Sequence, residues 1–275
     1  MKIAYQGIAG SYSESCAKNN YPKCETIPCK TFDECFEMAS KDSSIRAIIP
    51  ESNKTTGNIG IEYLIFKFRL NIYSEHFYKI SHNLLGLKES KIEDITDIYS
   101  HAQALGQSSE FIKKNKFIEN VRADTAGSAK YVADLKDKSK AAIASTLSAE
   151  IYNMKILATN IQDNKENFTR FLLMGKDIIQ PENKHGSYIT SFLFKLKSKP
   201  AALYSALQGM AINGVNMIKL QSFPEKNSFS SYFFLCEVEG HIEDQKIKNS
   251  LEDLNYHCED MTVLGVFEAD KLRKK

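Results

Sequence analysis

Short apolar runs in the first 160 residues are each followed at once by a helical segment whose first turn carries Ser, Thr, Asp or Gln. Lys2-Ile3-Ala4-Tyr5 leads to Ser11-Tyr12-Ser13 and the helical Cys16-Ala17-Lys18. Ile98-Tyr99-Ser100 leads to His101-Ala102-Gln103-Ala104-Leu105-Gly106-Gln107. Val121-Arg122-Ala123 leads to Asp124-Thr125-Ala126-Gly127-Ser128, and Ala141-Ala142-Ile143-Ala144-Ser145 to Ala149-Glu150-Ile151-Tyr152. Strands that alternate with helices specify an α/β chain, in which ligands gather beyond the carboxyl ends of the strands. Each helix start offers unpaired N–H groups and partial positive charge. Two half-domains presenting such ends to one cleft suit a small dicarboxylate.

The turn Gly7-Ile8-Ala9-Gly10-Ser11-Tyr12-Ser13 carries two glycines that permit a tight strand-to-helix connection, with Ser11 or Ser13 as the cap. It forms an anion seat but not a dinucleotide fingerprint, because the third glycine and the later ribose-binding acid are missing. Thr31 to Ala39 places Phe32, Cys35, Phe36 and Ala39 on one helical face, and Ile45-Arg46-Ala47-Ile48-Ile49-Pro50 reads as a buried strand. The polar loop Glu51-Ser52-Asn53-Lys54-Thr55-Thr56-Gly57-Asn58 follows it. Leu70 to Ile80 reads as a long strand or crossing segment that opens a second alternating unit.

Residues 175–186 combine polar side chains with Pro181 and Gly186 and read as a linker. Beyond it, Thr190 to Leu196 alternates as a strand and Pro200 to Leu207 starts a helix that Gly214 is placed to end. Val215 to Leu220 and Ser231 to Val238 are strands, Asp244 to Leu254 is a helix, and Met261 to Phe267 is a last strand. The order βαββαβ is the ferredoxin-like split unit.

With 36 basic against 34 acidic residues the net charge is +2, and the only basic run is the short tail from Lys271 to Lys275. Nucleic acid is therefore not an expected partner. No secretory signal is visible, and no apolar run approaches the roughly 20 residues of a membrane span, so the expected location is the cytoplasm, with no membrane partner. The six cysteines form no Cys-x-x-Cys pair and have no His at ligand spacing, which argues against zinc and for reduced, packed thiols.

Thr169-Arg170-Phe171 sets a hydroxyl, a fixed cation and an aromatic ring side by side, just before the strand-like Leu172-Leu173-Met174. That grouping suits a small anionic substrate.

Taken in order, these stretches resemble the prephenate dehydratase family over nearly the whole chain. The resemblance rests on Ala4-Tyr5-Gln6-Gly7 with Gly10-Ser11-Tyr12-Ser13-Glu14, Ser100-His101-Ala102-Gln103-Ala104-Leu105, Thr125-Ala126-Gly127-Ser128-Ala129, and Asn167-Phe168-Thr169-Arg170-Phe171. In the last domain it rests on Pro200 to Tyr204, Gly214-Val215-Asn216 and Val238-Glu239-Gly240-His241.

The resemblance implies a two-lobed catalytic domain like a type 2 periplasmic binding protein, with the chain crossing twice between lobes. A ferredoxin-like βαββαβ ACT domain follows. The implied bounds are a catalytic domain over 1–178 (one lobe 1–78 with 160–178, the other 79–159), a linker over 179–187 and the ACT domain over 188–268. The implied reaction, which uses no cofactor, converts prephenate to phenylpyruvate on the way to phenylalanine. The same likeness leaves open an arogenate dehydratase, or a small-anion binder that keeps the cleft without catalysis.

By likeness Thr169 is the catalytic residue. Ser11, Asn53, Ser100, Gln103 and Thr125 are candidate substrate contacts, Arg170 pairs with a substrate carboxylate or with protein across the lobes, and Phe171 packs the cleft wall. Phenylalanine is the implied effector, with Leu203, Asn216, Gln221 and Ser222 as candidate contacts, and a homodimer or homotetramer is the implied assembly.

The chain departs from the family pattern at several positions. Ser52 stands where the family has Glu, with Glu51 beside it as the alternative carboxylate, and Lys54 stands where it has Ser. In the ACT domain Gln221-Ser222-Phe223-Pro224 replaces Glu-Ser-Arg-Pro, and Ala201 replaces Gly.

Overall fold

A computed structural model describes residues 1–183, 186–225, 228 and 231–274. Lys184 and His185 of the expected linker, and Lys275 of the basic tail, lie outside the described residues.

The first part of the chain runs β1 (Lys2–Gln6), α1 (Tyr12–Asn20), β2 (Glu25–Cys29), α2 (Phe32–Lys41), β3 (Ile45–Asn53), β4 (Gly57–Asn58), α3 (Glu62–Phe68) and β5 (Asn71–Lys79). It continues with β6 (Asn83–Gly86), β7 (Asp97–His101), α4 (Ala102–Gly106), α5 (Ser109–Asn115), β8 (Ile118–Arg122), α6 (Thr125–Leu135), β9 (Lys140–Ala144), α7 (Thr146–Ile151), β10 (Lys155–Ala158) and β11 (Phe168–Gly175). The last part is β12 (Tyr188–Leu196), α8 (Ala202–Ile212), β13 (Met217–Pro224), β14 (Tyr232–Glu239), α9 (Gln245–His257) and β15 (Cys258–Glu268).

Two sheets in the first part repeat one strand order. One runs β2-β1-β3-β11-β5 with β4 hairpinned onto β3, and the other runs β10-β6-β9-β7-β8. In each, the middle three strands are the first and third of the local alternating unit and a strand inserted from elsewhere in the chain. β1 pairs parallel with β2, and β7 with β8 and β9, while β6 is antiparallel to β9 and β10. This is the two-lobed architecture, with the chain passing out through β5 and returning through β11.

Helices form where the sequence supplies caps. Ser11, Asp124 and Ser145 are N-caps whose side chains accept from Glu14, Gly127 and Ser148 N–H groups. Small side chains let helices lie close to the central strand β9, where Ala141, Ala142, Ile143 and Ala144 are all fully buried. Ile98, Leu105, Ile112 and Ile143 fill one side of that sheet and Ala129, Val132 and Ala149 the other. Full burial contributes about 1.5–3 kcal/mol for each large side chain.

The last sheet is antiparallel, in the order β13-β14-β12-β15, with α8 and α9 contributing to its core around Phe192, Phe194, Cys236 and Leu254. This is the ferredoxin-like topology of an ACT domain. Pro200, expected from sequence in the first turn of this helix, lies before it: α8 starts at Ala202 with Ala201 as its cap. Ala201 is held at φ +57, a left-handed conformation that disfavours a Cβ.

Met1–Cys35, Ile48–Ile59 and Phe77–Phe171 make one compact unit, and Phe36–Ala47, Gly60–His76 and Leu172–Lys275 the other. Within the second unit, Phe66 of α3 meets Phe233 of β14 in a tilted contact with centroids 4.2 Å apart, and Arg273 holds the buried Glu75 carboxylate through Nε (2.6 Å) and Nη2 (2.8 Å). No described helix is long and apolar enough to cross a membrane.

Candidate active site

A cavity of about 400 Å³ lies in the first unit, walled by the carboxyl ends of β1, β3 and β8, by the starts of α1, α4 and α6, and by β11. Thr169 opens into it and is only 7% exposed. Its Oγ1 accepts a hydrogen bond from Asn53 Nδ2 at 2.9 Å, which leaves the threonine's own proton available to the cavity.

Asn53 is itself fixed from every side. Its Nδ2 also donates to Asn167 Oδ1 (2.8 Å), and its Oδ1 accepts from Thr55 N (2.9 Å), Thr56 N (3.1 Å) and Thr56 Oγ1 (3.3 Å). Gln103 Nε2 on the other lobe donates to Thr56 Oγ1 at 2.8 Å. A directed chain therefore runs from Gln103 through Thr56 and Asn53 to Thr169, each donor polarising the next.

A second branch begins at Asn167, whose Nδ2 donates to Gln107 Oε1 at 3.0 Å. The same oxygen lies 2.9 Å from His82 Nε2, which places the His82 proton on that nitrogen. His82 Nδ1 lies 2.8 Å from the Tyr12 hydroxyl, which is also 2.9 Å from Ser81 O. Burial pushes the His82 pKa down, against a smaller opposing effect of the Gln107 bond, and pushes the Tyr12 phenol well up. Both are neutral near pH 7, so the branch orients the site and adds no charge. Gln107 Nε2 is buried with no described partner.

An anion entering this cavity would meet dipoles. No Lys or Arg is among the described residues of the wall. The first-turn amides of α1 and α6 have no intrahelical acceptor, and Ser11, Ser13, Thr125 and Gln103 add side-chain donors beside them. The α1 start is braced by Ser145 Oγ (2.6 Å) and Ser148 Oγ (2.9 Å), both donating to Gly10 O. A Cβ on Gly10 would meet Ser148 Oγ at 2.6 Å, and the φ of +92 independently requires glycine.

Six residues named from sequence, Ser11, Asn53, Gln103, Thr125, Thr169 and Phe171, line this one cavity. Phe171 is 2% exposed and meets Tyr78 edge-on at 6.4 Å.

Ser100 and Arg170 are not among the wall residues. Ser100 is fully buried and donates to Ile143 O at 2.6 Å, so its hydroxyl joins β7 to β9. Arg170 is buried and its Nη1 lies 3.2 Å from Glu51 Oε2, which also accepts from Ser52 Oγ at 2.8 Å. Of the two partners weighed for Arg170 from sequence, the structure supplies protein. Glu51 in turn answers Arg170 and is not part of the wall.

The candidate effector residues spread over the last domain. Leu203 packs on the domain core, Asn216 Nδ2 donates to Glu239 Oε2 at 2.7 Å, and Gln221 and Ser222 lie on the edge strand β13 opposite Leu235 and Phe234. Among the described residues no group of three His, Cys, Asp or Glu could hold a metal.

Tyr12, Thr56, His82, Gln107 and Asp124 also line the wall and were not named as site residues from sequence. Tyr12 and His82 are partners separated by 70 positions, whereas Thr56 and Asp124 are held by neighbours three positions away.

Residues 3–178 match the family model for prephenate dehydratase. Arogenate dehydratase 2 of Petunia hybrida is 35% identical over 98% of this chain and 72% of its own. The solved structure of GqqA, a quorum-quenching acylase, superposes at TM-score 0.93 with 34% identity, covering 99% of this chain and all of that one. The prephenate dehydratase of Arthrobacter aurescens, solved in complex with L-Phe, superposes at TM-score 0.87 with 22% identity over 98% of this chain and 90% of its own, a likeness of fold. A threonine hydroxyl held by Asn53 above a cavity of amides, inside a fold shared along almost its full length, thus has one consistent setting: the chain belongs to the prephenate dehydratase family of lyases.

Proposed function

We propose that the chain catalyses the decarboxylative dehydration of prephenate to phenylpyruvate, in phenylalanine biosynthesis. The observation that carries this reading is the Asn53–Thr169 hydrogen bond inside the cavity.

In the reaction the ring carboxylate leaves as carbon dioxide, and its bonding pair enters the ring. The carbon–oxygen bond to the ring hydroxyl breaks, and that oxygen departs as water with a proton passed through Thr169 Oγ1 and restored from solvent. Aromatisation supplies the driving force, so the site needs orientation and one proton donor. Asn53 occupies one lone pair of Thr169 and favours an outward direction for its proton, while Gln103, Gln107, Ser11 and Thr125 orient the substrate's carboxylates. The ring packs on Phe171.

Arogenate, with an amine where prephenate has a keto group, is the second substrate, supported by the Petunia relative. The likeness to GqqA supports testing an acylase activity as well. The L-Phe complex of the Arthrobacter protein supports phenylalanine as effector of the last domain; a homodimer or homotetramer in the cytoplasm is proposed with it.

The test is incubation of the purified protein with prephenate, arogenate or an N-acyl-homoserine lactone, with chromatographic identification of products. Phenylpyruvate from prephenate supports the proposal. Saturable binding of prephenate with no product assigns the chain to the class of binders, and cleavage of the amide bond of the N-acyl-homoserine lactone alone assigns it to the acylases.

A further inference from the structure

The cavity wall carries a negative charge of its own. It holds one carboxylate, Asp124, with neutral His82, exposed His101 and no Lys or Arg among the described residues. Asp124 is the N-cap of α6, with extended backbone (φ −157, ψ 165), and its Oδ1 accepts from Gly127 N at 2.6 Å. Its Oδ2 accepts no hydrogen bond from any described residue. Thr125, the next residue, lines the same wall.

A carboxylate in that position opposes a second anion brought to the α6 start. It favours a group that carries its own cation beside the carboxylate. Prephenate presents a 2-oxo acid side chain, whereas arogenate presents a 2-amino acid side chain with an ammonium adjacent to the carboxylate.

We propose that Asp124 is the specificity-determining residue of this site, holding the ammonium of the 2-amino substrate through Oδ2 while the α6 start and Thr125 take the neighbouring carboxylate. The inference rests on the dehydratase reading and deepens it. It assigns the choice between the two substrates to one side chain. The bond-breaking steps remain with Thr169, because the ammonium takes no part in loss of water or carbon dioxide.

The test is Asp124→Asn, which keeps an acceptor for Gly127 N and so keeps the cap. Asp124→Ser, another capping residue without charge, is the second variant should the first fail to fold. The readouts are kcat and KM for arogenate and prephenate, with thermal unfolding as a check on the fold.

The expected result is a fall of about tenfold or more in the arogenate-to-prephenate ratio of kcat/KM. It should come from a higher KM for arogenate and a lower KM for prephenate. A purely structural role would lower both substrates together, so an unchanged ratio overturns the inference while leaving the dehydratase reading intact. Wild-type protein that converts prephenate but not arogenate overturns it as well. Wild-type protein that converts neither removes the dehydratase reading, and this inference with it.

Discussion

Replacing Asn53 by aspartate changes one atom and reverses the direction of the hydrogen bond that prepares Thr169. In the native site Asn53 Nδ2 donates to Thr169 Oγ1 at 2.9 Å and to Asn167 Oδ1 at 2.8 Å. A carboxylate can only accept, so Thr169 would turn its proton toward residue 53 and away from the substrate. Losing one preorganised donor at the reacting group costs about 2.7–4 kcal/mol of transition-state stabilisation, or roughly 10²–10³ in kcat.

The turn itself should survive, because an aspartate oxygen still accepts from Thr55 N and Thr56 N. The buried Asn167 Oδ1 loses its donor, which costs about 1–3 kcal/mol of stability. The assay is steady-state release of phenylpyruvate alongside denaturant unfolding. A variant that keeps kcat within about threefold of wild type, with only KM raised, would refute the idea that Asn53 acts by directing the threonine proton.

Two further substitutions test other parts of the structure. Arg170→Met leaves the buried Glu51 carboxylate without its cation and should cost about 3–5 kcal/mol in denaturant unfolding; a well-folded variant whose only defect is a raised KM would instead put Arg170 on the substrate. Ala201→Gly relieves the left-handed backbone at the start of α8 and should stabilise the protein by about 1 kcal/mol; unchanged or lower unfolding free energy would show that the strain is absorbed elsewhere.

Local rules reached much of the site because its groups sit at helix starts and strand ends. Ser11, Thr125 and Gln103 are found by their place after an apolar run, and the structure sets all three in one wall. The βαββαβ order of the last domain is similarly local, since its turns and periodicities lie within short windows.

The same rules misplace neighbours within a strand. Successive side chains point to opposite faces, so Thr169 and Phe171 share the cavity while Arg170 between them is turned to Glu51. That alternation was available in the sequence and could have excluded Arg170. Ser100 lies outside the wall for a different reason: its strand-end hydroxyl meets a carbonyl of β9, which arrives 43 positions later. His82 joins the site only through side-chain contacts across the fold, whereas Gln107 stands four residues after Gln103 in one helical stretch and was legible from that spacing.

The most direct measurement is single-turnover conversion of prephenate by wild type and by Thr169→Val, which preserves shape and removes the hydroxyl. With substrate binding confirmed for both proteins, the account predicts rapid formation of phenylpyruvate by wild type and a loss of roughly 10²-fold or more in the variant's chemical step. Equal rates from the two proteins would contradict it.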